Sequence, residues 1–301
     1  MDTKRTNEKE LLKAMFQKIN TIERKLENVQ ISLGRVEQRQ LEKNDDINEG
    51  EFKVFSQWGE DGIIQYLVEN LKIQDRRFVE FGVQDYKESN TRYLLVHNNW
   101  SGLVIDSDEE NVKKIQNDEI YWRYNLKAIC SFVTAENIND ILFSQNIKGE
   151  IGLLSIDIDG NDYWVWKAIS CIEPSIVICE YNHRFGKEDA VTIPYDSDFR
   201  REKAHYSNIY YGASISALNL LAKQKEYTLV AGNLNGNNLF FVKSSLLNSK
   251  VKEMSIEDAY HKGQFRESRG CDGRLSFLEA IEEAAILKKL KLVYVEKNNC
   301  V

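Results

Sequence analysis

At 301 residues, 42% hydrophobic and 29% charged, the chain has the make-up of a globular protein with room for one sizeable core and an appendage. A net charge of -7 gives no sequence-wide attraction to phosphate backbones and argues against nucleic acid as a partner. No apolar run reaches the roughly 18 residues of a membrane span, and the opening MDTKRTNEKE lacks the apolar core of a signal peptide, so a cytoplasmic protein is expected.

In chain order, residues 8–41 carry Leu12, Met15, Ile19, Ile22, Leu26, Val29, Leu33 and Val36 at alternating spacings of three and four, the seam of a left-handed coiled coil. With Leu12 as position a, the a set is Leu12, Ile19, Leu26 and Leu33, and d holds Met15, Ile22, Val29 and Val36. Leucine at a with β-branched residues at d leans away from two-stranded coils toward three or four strands, which predicts a homo-oligomer. A helix packed on its own domain would carry a wider apolar stripe. The polar patch EKNDDINEGE, 42–51, reads as a linker.

From residue 52, apolar runs alternate with helical patterns. Predicted strands are 77–83, 101–107, 122–130, 150–158, 175–182, 227–233 and 238–244; predicted helices are 60–72, 90–98, 109–117, 134–146, 161–171 and 214–225. Strand and helix in turn, with strands too apolar to face water, predict a Rossmann-like, doubly wound α/β fold with a mostly parallel seven-stranded sheet. The last two strands are separated only by a short turn around LNGN and should form an antiparallel hairpin. The expected division is a coiled-coil helix over 1–48, a catalytic domain over 52–250 and a helical tail over 251–301. The five cysteines, Cys130, Cys171, Cys179, Cys271 and Cys300, show no CxxC spacing and read as free thiols.

In an open α/β sheet, ligands bind beyond the carboxyl ends of the strands. The first strand ends in VEFGVQDYKESNT, where Glu80 and Gly82 mark a close backbone approach, and Asn90 or Thr91 can cap the next helix so that its N-terminus faces an anion. The second strand ends in Asp106 and Ser107, at a spacing suited to an acid that accepts hydrogen bonds from ribose hydroxyls. Two such acids on adjacent strands point to an adenosine-containing cofactor.

The stretches FSQWGEDGII (55–64), FVEFGVQDYKESNTRYL (78–94), WSGLVIDSD (100–108) and LLSIDIDGNDYWVWKAI (153–169) together resemble the class I S-adenosylmethionine-dependent methyltransferases, and more narrowly the FkbM-type bacterial sugar O-methyltransferases. The likeness spans roughly residues 54–245. It implies that Glu80, Gly82 and nearby backbone surround the methionine end of S-adenosylmethionine, that Asp106 holds the ribose, and that Ala128, Ile129 or Cys130 flanks the adenine. Gln57, Glu60 and Asp61 would close over the cofactor from upstream. Equally, SQWGED reads as a plain helix start capped by Ser56.

Methyl transfer to a sugar hydroxyl needs a general base or a divalent cation that lowers the acceptor's pKa. Asp157 and Asp159, on alternate positions of the fourth strand's end, should converge with Glu180 and Asn182 from the fifth, a hard-oxygen set suited to Mg²⁺, Mn²⁺ or Ca²⁺. Asp159 and His183 are the expected catalytic residues, His183 as base and His205 in reserve. Both have bland alternatives: a strand-end acid can simply bind loop amides, and a loop histidine can be incidental. The long stretch 181–214 is expected to fold over the acceptor, its tyrosines stacking on sugar rings with Trp164 and Trp166, although those two tryptophans fit core packing better. In the tail, 275–290 reads as an amphipathic helix, and Arg266, Arg269 and Arg274 as a phosphate contact or a solvated loop. Two rivals stay open: a nucleotide-sugar glycosyltransferase that binds Mn²⁺ through Asp157-x-Asp159, and a non-catalytic oligomeric scaffold.

Overall fold

A computed structural model describes residues 2–41 and 46–296. The strands are β1 (Arg77–Phe81), β2 (Ser101–Asp106), β3 (Leu126–Cys130), β4 (Gly149–Ile156), β5 (Ile172–Glu180), β6 (Val191–Thr192), β7 (Tyr227–Gly232), β8 (Asn238–Lys243) and β9 (Val293–Tyr294). The helices are α1 (Asp2–Leu41), α2 (Glu60–Asn70), α3 (Arg92–Val96), α4 (Glu109–Asn117), α5 (Glu119–Arg123), α6 (Ile138–Ser144), α7 (Asp162–Ala168), α8 (Arg201–Ala204), α9 (Ile215–Gln224), α10 (Ile256–Ala259) and α11 (Ala280–Leu287).

The main sheet runs β3-β2-β1-β4-β5-β8-β7. β1 to β5 are parallel, and β8 lies antiparallel between β5 and β7. This is the predicted Rossmann-like sheet with its terminal hairpin. Consecutive strand residues feed opposite cores: Val79, Phe81, Ile105, Leu154 and Val177 pack on one face with α6, α7 and α9, while Phe78, Val104, Leu153, Ile176 and Phe240 pack on the other with α2, α3 and α4. Burial on both faces explains why the strands read as continuous apolar runs. Trp166 belongs to the first core, tilted on Phe241, and Trp164 donates its indole N–H to the Ile193 carbonyl; neither tryptophan lines the cleft described below.

Local signals set several boundaries. Asp118 caps α5 by accepting from the Ile120 amide, so the strand predicted over 122–130 shortens to β3. Ser214 caps α9 through the Ala217 amide. The predicted linker 42–51 is only partly described: 42–45 lie outside the described residues, while Asn48 binds the Gly232 carbonyl and Glu51 accepts from the Leu234 amide. Its second half is therefore docked on the domain, because Glu51 and Asn48 supply the polar partners that the hairpin turn lacks.

The tail also departs from expectation. β9 pairs with β6 in a second small sheet, and α11 spans less than the predicted 275–290. Arg266 lies over Phe277, Arg274 pairs with Asp272 in solvent, and the Arg269 amide binds the Ser207 carbonyl, so the three arginines form separate local contacts. Cys130, Cys171, Cys179 and Cys271 are free thiols, and Cys300 lies outside the described residues.

Candidate active site

The sheet order reverses between β1 and β4, and a cleft opens there beyond the carboxyl ends of the strands. One cavity of about 230 Å³ lies between Gly82 and Gln84 after β1, Asp106 and Ser107 at β2, Ser131 to Val133 after β3, and Asp157 to Asp159 after β4. A second, of about 90 Å³, is walled by Gln57, Glu80, Ser89 and Asn90 and shares Gly82, Gln84 and Asp157 with the first. The two are arms of one bent cleft with Asp157 at the elbow.

Gly82 is the hinge of this arrangement. Its φ is +73°, and a Cβ there would fall 1.7 Å from the Asp157 carbonyl oxygen. The close approach expected at Gly82 is thus made by the chain's own β4 loop, and only glycine permits it. Gln84 (φ 48°) and Asp159 (φ 54°) also hold left-handed backbone at the cleft wall, a conformation that costs energy for non-glycine residues.

Several expected ligand contacts are instead internal contacts. Glu80 accepts from the Ser89 and Thr91 hydroxyls and from the Asn90 and Thr91 amides. Burial raises its pKa against those bonds. It organises the β1–α3 loop, and the cleft meets only its edge. Asn90 donates to Ser155, and neither Asn90 nor Thr91 caps α3 with its side chain, which corrects the predicted anion-binding helix start. Asp61 accepts from the amides of Val54, Phe55 and Ser56 and from the Ser56 hydroxyl, and burial pushes it up to about 6. Glu60 accepts from the Trp58 amide and from Asn233 and Asn238 of the hairpin. Both acids fix the approach to α2, and neither lines the cleft; of the upstream trio only Gln57 does.

Asp106 does face the cleft. One oxygen accepts from the Gln84 amide at 2.7 Å and the other from the Asp108 amide at 2.9 Å, so it also ties the two loops that form the cavity wall. Ala128, Ile129 and Cys130 are absent from the lining: the strand runs on, and Ser131, Phe132 and Val133 take their place. Arg200 stacks over Phe132 at 3.5 Å, and Phe199 reaches Gly160, so the segment after β6 crosses this arm of the cleft.

The acidic cluster is not the one predicted. β4 ends at Ile156 and Asp159 is left-handed, so strand alternation no longer aligns Asp157 with Asp159. Asp159 pairs with Arg201 at the cleft wall, outside the trio of Asp157, Asp162 and Glu180 but near enough to add its charge to Asp157. Asn182 donates to the Ile209 and Tyr211 carbonyls and accepts from the Arg184 amide, which saturates it structurally. Asp157, Glu180 and Asp162 come together instead, with carboxylate oxygens within 4.8 Å of one another. Asp162 accepts from the Ile158 and Gly160 amides, whereas Glu180 Oε2 is buried with no hydrogen-bond partner. Burial raises all three pKa values, Asp162 to about 6. Asp157 and Glu180 go well above the ordinary carboxylate range: burial is the main cause, the charges of Asp159 and Asp162 add to it at Asp157, those of Asp157 and Asp159 add to it at Glu180, and nearby Arg201 only partly offsets this.

Neither histidine reaches this group through the cleft. The His183 ring is buried edge-on to Phe265 and packed on Gly263, and burial with the charges of Arg184 and Lys262 lowers its pKa to about 3. His205 bonds Ser207 in its own loop. Sequence reasoning missed the frame behind the acids: Arg201 sits over the Tyr211 ring at 3.7 Å and pairs with Glu267 of the tail, and Glu267 also holds Arg184 and the Tyr211 hydroxyl. Asp162 was visible as the third acid of DIDGND; the partnership of Arg201 with Glu267, 66 positions apart, had no local signal.

No protein-family profile matches the chain, and no curated protein matches it. Among solved structures it is similar to the N-terminal domain of EvdMO1 with SAH bound, at 12% identity over 69% of this chain and 95% of that one, with a TM-score of 0.42. It is also similar to an S-adenosylmethionine-dependent methyltransferase from Clostridium acetobutylicum ATCC 824 (12%, 61% and 89%, TM-score 0.38) and to an O-methyltransferase from Bacillus cereus in complex with SAH (13%, 61% and 80%, TM-score 0.38). The Rossmann-like assignment rests on the chain's own strand order and on the cleft at its reversal point.

Proposed function

We propose that the chain is an S-adenosylmethionine-dependent methyltransferase that acts on a hydroxyl of a sugar or surface-polysaccharide precursor. The observation that carries this reading is the meeting, in one cleft at the sheet's reversal point, of a β2-end acid with a carboxylate group of raised pKa at its elbow. A donor arm suits the cavity between Asp106 and Val133: the Asp106 carboxylate is an acceptor for ribose hydroxyls, and Ile105, Phe132 and Val133 offer flat apolar walls to a purine.

S-adenosylmethionine, when bound, supplies a sulfonium methyl as electrophile. The chain's own residues must align the acceptor oxygen and take its proton. Asp157 is the cleft-facing acid, and burial beside other acids raises its pKa and so strengthens it as a base. Glu180 sits behind it and shares the charge. The same trio fits a divalent cation: three hard-oxygen donors lie within 4.8 Å, and Glu180 Oε2 lacks any other partner. A cation held by Asp157, Asp162 and Glu180 would lower the pKa of an acceptor hydroxyl. A glycosyltransferase reading needs Asp157 and Asp159 to share a ligand, and the Asp159–Arg201 pair speaks against that.

The test is calorimetric titration with S-adenosylhomocysteine. Asp106→Ala should weaken binding about 10- to 100-fold, the worth of a charged hydrogen bond. Unchanged affinity, or heat only from a sugar nucleotide with Mn²⁺, overturns the reading.

A further inference from the structure

The heptad seam of α1 is not used by its own domain. Leu12, Met15, Ile19, Ile22, Leu26, Val29, Leu33 and Val36 are each between 47% and 63% exposed. The helix docks through a different face. Ile31 is buried, and Gly34 approaches so closely that a Cβ would fall 2.5 Å from Val54. Glu27 pairs with Arg92 at 2.7 Å, Arg35 donates to His97, Gln38 donates to Glu69, and Arg24 lies near Glu119. At 100° per residue the two faces lie roughly 150° apart around the helix. Docking therefore leaves the seam facing away from the globular part, and residues 9–23 are all exposed.

The residues that flank the seam say what covers it. Positions g carry Leu11, Lys18, Lys25, Ser32 and Arg39, and positions e carry Phe16, Glu23, Gln30 and Glu37. In a parallel coil, g of one chain meets the following e of its neighbour, which pairs Lys18 with Glu23 of a second copy and Leu11 with Phe16 of a second copy. An antiparallel coil brings g to g and e to e, lysine against lysine and glutamate against glutamate. The charges are thus self-complementary in one orientation. Leu11 and Phe16, 62% and 64% exposed, widen the apolar stripe in the first heptad, and a wider stripe is buried only when more than two helices meet.

We infer that α1 joins copies of this chain in a parallel bundle of three or four strands, with the globular parts arrayed outside it on the opposite helix face. This does not depend on the chemistry of the cleft. Light scattering on the full chain should give a mass of three or four chains. Ile19→Asp/Ile22→Asp, placed ahead of the first domain contact, should reduce it three- to fourfold to one chain, with thermal unfolding of the globular part unchanged. A parent mass of one or two chains overturns the inference, as does a double variant that keeps the parent mass. Leu12→Cys reads the orientation: oxidation should produce covalent dimers beyond those of the parent, and their absence in an assembly of intact mass overturns the parallel order.

Discussion

Glu80 and Asp157 stand at the ends of neighbouring strands, and in the sequence they look alike: each is an acid that closes an apolar run. Their surroundings separate them. Glu80 accepts four hydrogen bonds from one loop and is spent on holding it. Asp157 shares its corner with Glu180, one of whose oxygens has no donor, and with Asp162. An acid surrounded by donors builds structure; an acid surrounded by other acids holds a proton or a cation and is available for chemistry.

The sharpest way to break this contrast is Asp157→Asn. It keeps the shape and removes the base, so turnover should fall by about 100-fold or more while stabilisation by S-adenosylhomocysteine persists. Turnover equal to the parent's, measured with any accepted substrate, removes the acidic elbow from the mechanism.

Glu80→Ala attacks the other side. It strands the buried Asn90 and Thr91 amides and should destabilise the fold by about 3 kcal/mol, read from denaturant midpoints. An unchanged midpoint would mean that the loop holds without its acid.

The pH dependence of stability sharpens the comparison further. Asp157, Glu180, Asp162 and Asp61 bind protons more tightly when folded than at the unfolded value near 4, so the folded state carries extra protons above that pH. Their contribution is therefore fully present below about pH 4 and is lost as pH rises through about 6 and beyond. In chelator, the melting temperature should fall from pH 5 to pH 8, and Glu180→Gln should flatten the decline. A variant slope as steep as the parent's contradicts the coupling of Glu180 to Asp157.

The smallest effect belongs to Asp159→Ala. Its pair with Arg201 is more than half exposed on the aspartate side, so the loss should stay within about 1 kcal/mol and turnover near the parent's. A large loss of turnover would return Asp159 to the chemistry.

Much of the site was visible in the residues. Gln57, Glu80, Gly82, Asn90, Asp106 and Ser107 were expected at the cleft, and all six line it, although Glu80 and Asn90 also hold its loop together. Asp157 and Glu180 were expected to converge, and they do, because parallel strands in register bring their carboxyl ends to one edge. The errors came from single-residue conformations. A left-handed Asp159 has its carboxylate on Arg201 and outside the trio of Asp157, Asp162 and Glu180, and the three-residue turn after Asn182 sends His183 into Phe265 and not into the cleft. Ala128, Ile129 and Cys130 were expected beside an adenine and do not line the cavity: Ala128 and Ile129 pack into the two cores, Cys130 is exposed, and the loop beyond the strand forms the wall.

The sequence by itself determined the sheet, the helices that cover it and the seam of α1, since all three follow from the spacing of apolar residues, which repeats along the chain. Only the tertiary structure decided which acids are saturated, that Glu267 of the tail braces Arg201 behind the site, and which face of α1 the domain takes. Those depend on donors that arrive from distant positions, and the count of donors around a buried carboxylate, not its place in the chain, fixes whether it is structural or reactive.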